Sequence, residues 1–113
     1  GHTSGGTSWN WTACEKSRCI NMAYVDSLSA VSRDGYRFTD HPARVAPYRT
    51  TLATVARMKC DVLTTPHPGV SSLLTRLAGA APLLDPTGCK RLADTATAAL
   101  DRRLASEQTA PAR

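Results

Sequence analysis

Apolar and polar side chains alternate at two places near the start of the chain. Trp9-Asn10-Trp11-Thr12-Ala13 does so, and Cys19-Ile20-Asn21-Met22-Ala23-Tyr24-Val25 sets Ile20, Met22 and Tyr24 on one face. A period of two marks a half-buried strand, and two such runs with a short loop between them predict a β-hairpin. Residues 1–8 hold three glycines and no large apolar side chain, which predicts a loop. If extended geometry continues past Val25, Ser27 and Ser29 face one side, and Asp26 and Leu28 the other. Residues 31–40 are polar, with Asp34-Gly35 as a turn signal.

The period then becomes helical. Val45, Tyr48, Leu52 and Val55 form one apolar face, predicting a helix from about Asp40-His41-Pro42 to Met58. Asp40 or His41 can cap it, and Pro42 suits the first turn. Pro47 lacks a backbone donor and predicts a kink or a delayed regular start. Cys60 to Thr65 reads as a short strand, stopped by Pro66-His67-Pro68-Gly69. Ser71 to Ala78 suits a short helix capped by Ser71 or Ser72. Pro82, Asp85-Pro86 and Gly88 mark a loop. Leu92, Ala96, Leu100 and Leu104 then predict a last helix from Cys89 to Glu107. Residues 1–107 read as one folded unit and 108–113 as a frayed tail. The order is loop, hairpin, helix, strand, helix, helix, an α/β (α+β) pattern without internal repeats.

Composition narrows the function classes. The 113 residues are 42% hydrophobic and 20% charged, which excludes wholesale disorder. No apolar run approaches the ~20 residues of a membrane span. The chain starts with Gly, and no signal peptide precedes it. The expectation is either a processed protein or a piece of a longer one. A net charge of +5 raises nucleic-acid binding. The arginines are scattered and no aromatics interleave with them, so a solvated basic surface is the better reading.

Four cysteines in a short chain suggest an oxidising compartment. Three pairings are possible. Cys14 and Cys19 suit a clip across the hairpin loop. Cys60 and Cys89 would then close a longer loop, stabilising by about 3 kcal/mol in the chain-entropy account. No Cys-x-x-Cys spacing exists, which favours disulfides over a cysteine metal site.

The chemistry must come from few residues. His2 lies in the opening loop, His67 at a strand end between two prolines, and His41 at a helix start. Loops at strand ends are where a rigid scaffold aims functional side chains, which suits His2 and His67. Their wide separation is no local metal motif, so spacing alone favours ordinary loop histidines. His41 is better read as a helix-start residue. Two histidines do not complete a zinc site, which takes three protein ligands and an open position. Asp26 is a further candidate by type, but alternation turns it away from Ser27 and Ser29. A Ser-His-Asp hydrolase using Ser27 or Ser29 lacks the Gly-x-Ser-x-Gly elbow. The opening glycines lack the Gly-Lys-Ser/Thr of a phosphate loop, and Asn10-Trp11-Thr12 reads as a chance glycosylation acceptor.

Five pieces occur in order: Gly1-His2-Thr3, Thr7-Ser8-Trp9-Asn10-Trp11, Tyr24-Val25-Asp26-Ser27-Leu28-Ser29-Ala30, Cys60-Asp61-Val62-Leu63 and Thr65-Pro66-His67-Pro68-Gly69. Together they resemble the C-terminal half of a class B metallo-β-lactamase of the third subclass. The first piece is weak by itself. Asp-Ser-Leu-Ser-Ala with Pro-His-Pro-Gly is much more specific, and it turns the reading of His2 and His67 towards metal ligands.

The resemblance implies one half of a four-layer αββα sandwich, with two zinc ions between the halves. His2 would be the third histidine of the first zinc and His67 a ligand of the second. Ser27 stands where other subclasses place a cysteine ligand and would bind water. Ser29 would hydrogen-bond the carboxylate of the antibiotic. Cys60 with Cys89 resembles a disulfide of this subclass, and Cys14 with Cys19 an extra one found in some members. The implied function is hydrolysis of β-lactam antibiotics by a zinc-bound hydroxide in the bacterial periplasm, a resistance activity. The implied partners are a β-lactam substrate and the N-terminal half, with no nucleic acid and no membrane.

The family's His-x-His-x-Asp-His motif is absent from this sequence. This chain alone is therefore expected to be inactive and to expose the surfaces that meet the other half. A thioester or lactone hydrolase of the same fold would carry a metal-bridging Asp where Ser27 stands. A disulfide-clipped binding module without metal is the remaining alternative.

Overall fold

The two alternating segments form the expected hairpin: β1 (Trp9–Glu15) and β2 (Arg18–Tyr24) pair antiparallel. The structure, a computed structural model, describes residues 3–109. Helix α1 (Pro42–Ala56) carries the chain back to β3 (Val62–Thr64), which pairs parallel to β2. Such a crossover is what a parallel pair requires. Two further helices follow, the short α2 (Leu73–Leu77) and the long α3 (Gly88–Thr109). The sheet order is β1-β2-β3, a mixed α+β arrangement.

Register decides which sheet face is covered. Ala23 stands beside Leu63, and both belong to the core with Tyr48, Leu52, Val55, Cys89, Ala93 and Leu100 from α1 and α3. Ile20, Met22 and Tyr24 do share a face, but it is the opposite one and only half-buried. There Trp9 pairs with Tyr24 and Trp11 with Met22. The two tryptophans remain 64% and 48% exposed. The helices fill one side of the sheet and leave an apolar face open on the other.

Local details correct several expectations. Helix α1 runs unbroken through Pro47. That proline is exposed and forfeits only its own donor, while Tyr48, Leu52 and Val55 bury their face. His41 occupies the N-cap of α1 without a side-chain cap bond, and Asp40 closes a 3-10 turn over Phe38–Asp40. Ser72 caps α2 only by position, with φ of 53° and no side-chain bond. The Ser71 hydroxyl is engaged elsewhere, with Thr65 and Pro68. Helix α3 takes in Gln108 and Thr109, and residues 110–113 lie outside the described part.

Buried polar groups tie the layers together. The Tyr48 hydroxyl donates to the carbonyl of Leu28, and burial pushes its pKa up to about 12. The Glu107 carboxylate accepts from Phe38 N (3.1 Å), Thr39 N (2.9 Å), Thr39 Oγ1 (3.1 Å) and Arg103 Nε (2.5 Å). Disulfides join Cys14 to Cys19 across the hairpin and Cys60 to Cys89 between the approach to β3 and the first turn of α3. No described helix is long and apolar enough to cross a membrane.

Candidate functional site

The topology brings three segments to one end of the sheet. Trp9 opens β1 beside Tyr24, which closes β2, and Tyr24 lies beside Thr64, which closes β3. Residues 3–8, 25–30 and 65–70 therefore emerge together, as ligand-binding loops do at strand ends of an α/β layer.

Asp26 joins the first two segments. Its Oδ2 accepts from Thr7 N (3.2 Å) and its Oδ1 from Ser27 N (2.8 Å). Its own N–H donates to Ser8 Oγ (2.9 Å). The opening loop comes so close that a Cβ on Gly6 would lie 3.0 Å from Asp26 Oδ2. A glycine is needed there to let the backbone approach. The Asp26 carboxylate is thus committed to backbone donors.

Leu28 is buried and its carbonyl takes the Tyr48 hydroxyl, so the flanking side chains turn the other way. The hydroxyls of Ser27 and Ser29 lie 3.0 Å apart. Val25 N donates to Thr64 O (3.0 Å), extending the β2–β3 ladder to the root of this loop.

His67 stands beyond β3 with an exposed ring. Its carbonyl accepts from Thr65 Oγ1 (2.8 Å) and Val70 N (3.0 Å). Ser27, Ser29 and His67 line one cleft of about 200 Å³, with Val25, Leu28, Val70 and the Leu92–Ala99 stretch of α3 as its apolar floor. His2 lies outside the described residues. His41 does not line the cleft; its ring stacks on Tyr36 at 4.6 Å.

The arrangement does not suit a serine triad. Among the described residues no hydrogen bond joins the His67 ring to Ser27 or Ser29, whose hydroxyls pair with each other. Asp61 is committed as well, accepting from Asn21 N (2.7 Å) and Nδ2 (3.2 Å). Nor do the described residues make a zinc site by themselves. No three His, Cys, Asp or Glu side chains cluster, and all four cysteines are in disulfides. His67 is one good zinc donor; the serine hydroxyls are not usual ligands.

Some residues around this site gave no signal in the pattern of the sequence. Ser8 and Thr65 bond only to backbone and neighbouring hydroxyls, which spacing does not reveal. Arg76 is buried within an otherwise leucine-rich turn, where polarity predicted the reverse.

No protein-family model matches the chain. Among solved structures it is similar to the metallo-β-lactamase MIM-1 from Novosphingobium pentaromativorans, with a TM-score of 0.91 and 44% identity over 96% of this chain. It is also similar to the metallo-β-lactamase SMB-1 (TM-score 0.86, 40% identity, 95% of this chain). A third is MEM-A1, a subclass B3 metallo-β-lactamase from a soil metagenome library (TM-score 0.86, 35% identity, 96% of this chain). The chain spans 41%, 44% and 44% of the length of these three structures, respectively.

Proposed function

Because the chain belongs to the subclass B3 metallo-β-lactamases, we propose that it forms part of a zinc-dependent hydrolase that opens the ring of penicillins, cephalosporins and carbapenems. The observation that carries this reading is the meeting of Ser27, Ser29 and His67 in one cleft at the strand ends. His67 and His2 are two ligands of a larger set in a site for two zinc ions. The other ligands come from the part of the domain that this sequence does not include. Zinc, when bound there, supplies hydroxide at neutral pH by lowering the pKa of its water to ~7.

The chain's own residues bind and orient. Ser29, exposed at the cleft, hydrogen-bonds the carboxylate of the antibiotic. Ser27, half-buried beside it, holds a water. Asp26 ties Thr7 and Ser8 to the serine loop, so these two segments stay in one relation. The apolar face of Trp9 and Trp11 meets the remainder of the domain, and this chain alone is inactive. Two formed disulfides support secretion into an oxidising compartment, the bacterial periplasm.

A serine rather than a carboxylate at position 27 favours a β-lactam over a thioester or lactone as substrate. Substrate profiling of the complete domain tests this. Hydrolysis of a carbapenem and not of a thioester or lactone is the expected outcome; the reverse preference would replace the reading.

A further inference from the structure

Helix α2 is inverted for a helix at a protein surface. It leaves Leu74 and Leu77 68% and 62% exposed and buries Arg76 to 8%. Burying a guanidinium is unfavourable unless its donors are matched. Those of Arg76 go to backbone carbonyls. Nη1 donates to Leu63 O (2.7 Å) and Ser71 O (3.3 Å), Nη2 to Leu83 O (2.6 Å), and Nε to Pro82 O (3.2 Å).

Two of these carbonyls bracket His67. Leu63 lies in β3 before it, and Ser71 lies after it, so one side chain holds both roots of the loop. Within the loop, buried Thr65 donates to His67 O (2.8 Å) and lies 2.9 Å from Ser71 Oγ. The His67 ring itself is exposed and has no hydrogen bond among the described residues. Its direction therefore comes from the backbone that carries it.

We infer that Arg76 and Thr65 are positioning residues that aim the His67 imidazole, Arg76 fixing the roots of its loop and Thr65 its middle. This inference rests on the proposed role of His67 as a zinc ligand. A lysine could not replace Arg76, because the carbonyls lie in different directions and only the planar fork reaches them together. The hydrogen bonds of Arg76 fall on β3, the 65–71 loop and residues 82–83, and none reaches Tyr48, Leu52 or Leu100. Losing them should loosen the loop more than the core.

The test uses this chain joined to the N-terminal part of the domain, which supplies the other zinc ligands, with R76K, T65V and H67A. Amide hydrogen exchange is read at Val70, Ser72 and Leu73, whose N–H groups donate to His67, Gly69 and Pro68 of the loop, together with affinity for the zinc ion by chelator competition. R76K and T65V are expected to speed exchange at these amides while the amides of α1 and α3 keep their protection. Both should weaken zinc binding about tenfold, the scale seen when groups that orient a metal ligand are removed. Unchanged exchange in the loop would overturn the positioning, and so would an equal rise across α1 and α3, which would make Arg76 a general stabiliser. H67A separates the two levels: unchanged zinc affinity there overturns His67 as a ligand, whatever the loop does.

Discussion

The hydroxyls of Ser27 and Ser29 lie 3.0 Å apart, on either side of a leucine that is buried and hydrogen-bonded to Tyr48. The polar-apolar-polar pattern is thus fixed at its centre, and both serines are held towards the cleft that His67 also lines. If Ser29 hydrogen-bonds the antibiotic carboxylate, S29A removes a bond to a charged group, worth about 1.5–3 kcal/mol. The expected result in the complete domain is a KM raised roughly tenfold or more, with kcat little changed. An unchanged KM would remove Ser29 from the substrate site.

Glu107 makes a sign-definite pH prediction. Burial pushes its carboxyl up, but the N–H groups of Thr39 and Phe38, then Arg103 and the Thr39 hydroxyl, outweigh burial and hold it below the ordinary value. A depressed carboxyl contributes stability that is present above its unfolded pKa of about 4.3 and lost as pH falls through the folded value. E107Q should therefore cost stability at pH 7 and flatten the loss between neutral and acid pH. Urea melts at pH 7 and pH 3 check this; an unchanged difference between the two would show that Glu107 is not the acid-sensitive group.

The two disulfides should differ in weight. Cys60–Cys89 closes 29 residues of chain and joins the approach to β3 to the first turn of α3 at the core. Cys14–Cys19 closes five at an exposed hairpin tip. Chain entropy assigns about 3.6 kcal/mol to the first and about 2 kcal/mol to the second. Denaturant melts of C60A/C89A and C14A/C19A should rank in that order.

The open sheet face predicts a fluorescence signal. With Trp9 64% and Trp11 48% exposed, this chain alone should emit in the range of solvated indoles. Joining the remainder of the domain should shift emission to the blue, and W9F and W11F, made singly, should each still show a shift from the tryptophan that remains. Emission already blue in the monomeric chain would mean that the face is covered some other way.

How far the sequence carried can be read from particular residues. The hairpin, α1 and α3 were legible because Trp9–Ala13, Val45–Val55 and Leu92–Leu104 repeat cleanly at their own periods, and β3 because Cys60–Thr65 is stopped by Pro66. Register was not: Ile20, Met22 and Tyr24 share a face, but only the tertiary arrangement shows that Ala23 and Leu63 meet the helices. Pro47 pointed to a kink or a delayed regular start, but at an exposed position the helix runs on through it. Ser72 takes the N-cap position of α2, but with a left-handed backbone its hydroxyl makes no capping bond, and Ser71 is claimed by Thr65 and Pro68. Ser27, Ser29 and His67 were proposed through resemblance rather than periodicity. Arg76 and Glu107 were missed because a buried charge reads as a surface residue until its partners, distant in sequence, are seen.

The most direct test is zinc-dependent carbapenem hydrolysis, comparing this chain alone with the same chain joined to the N-terminal part of the domain. Turnover is expected only in the joined protein, abolished by a chelator, restored by zinc, and strongly reduced by H67A. Turnover by this chain alone, or full activity in H67A, would contradict the assignment of the metal ligands.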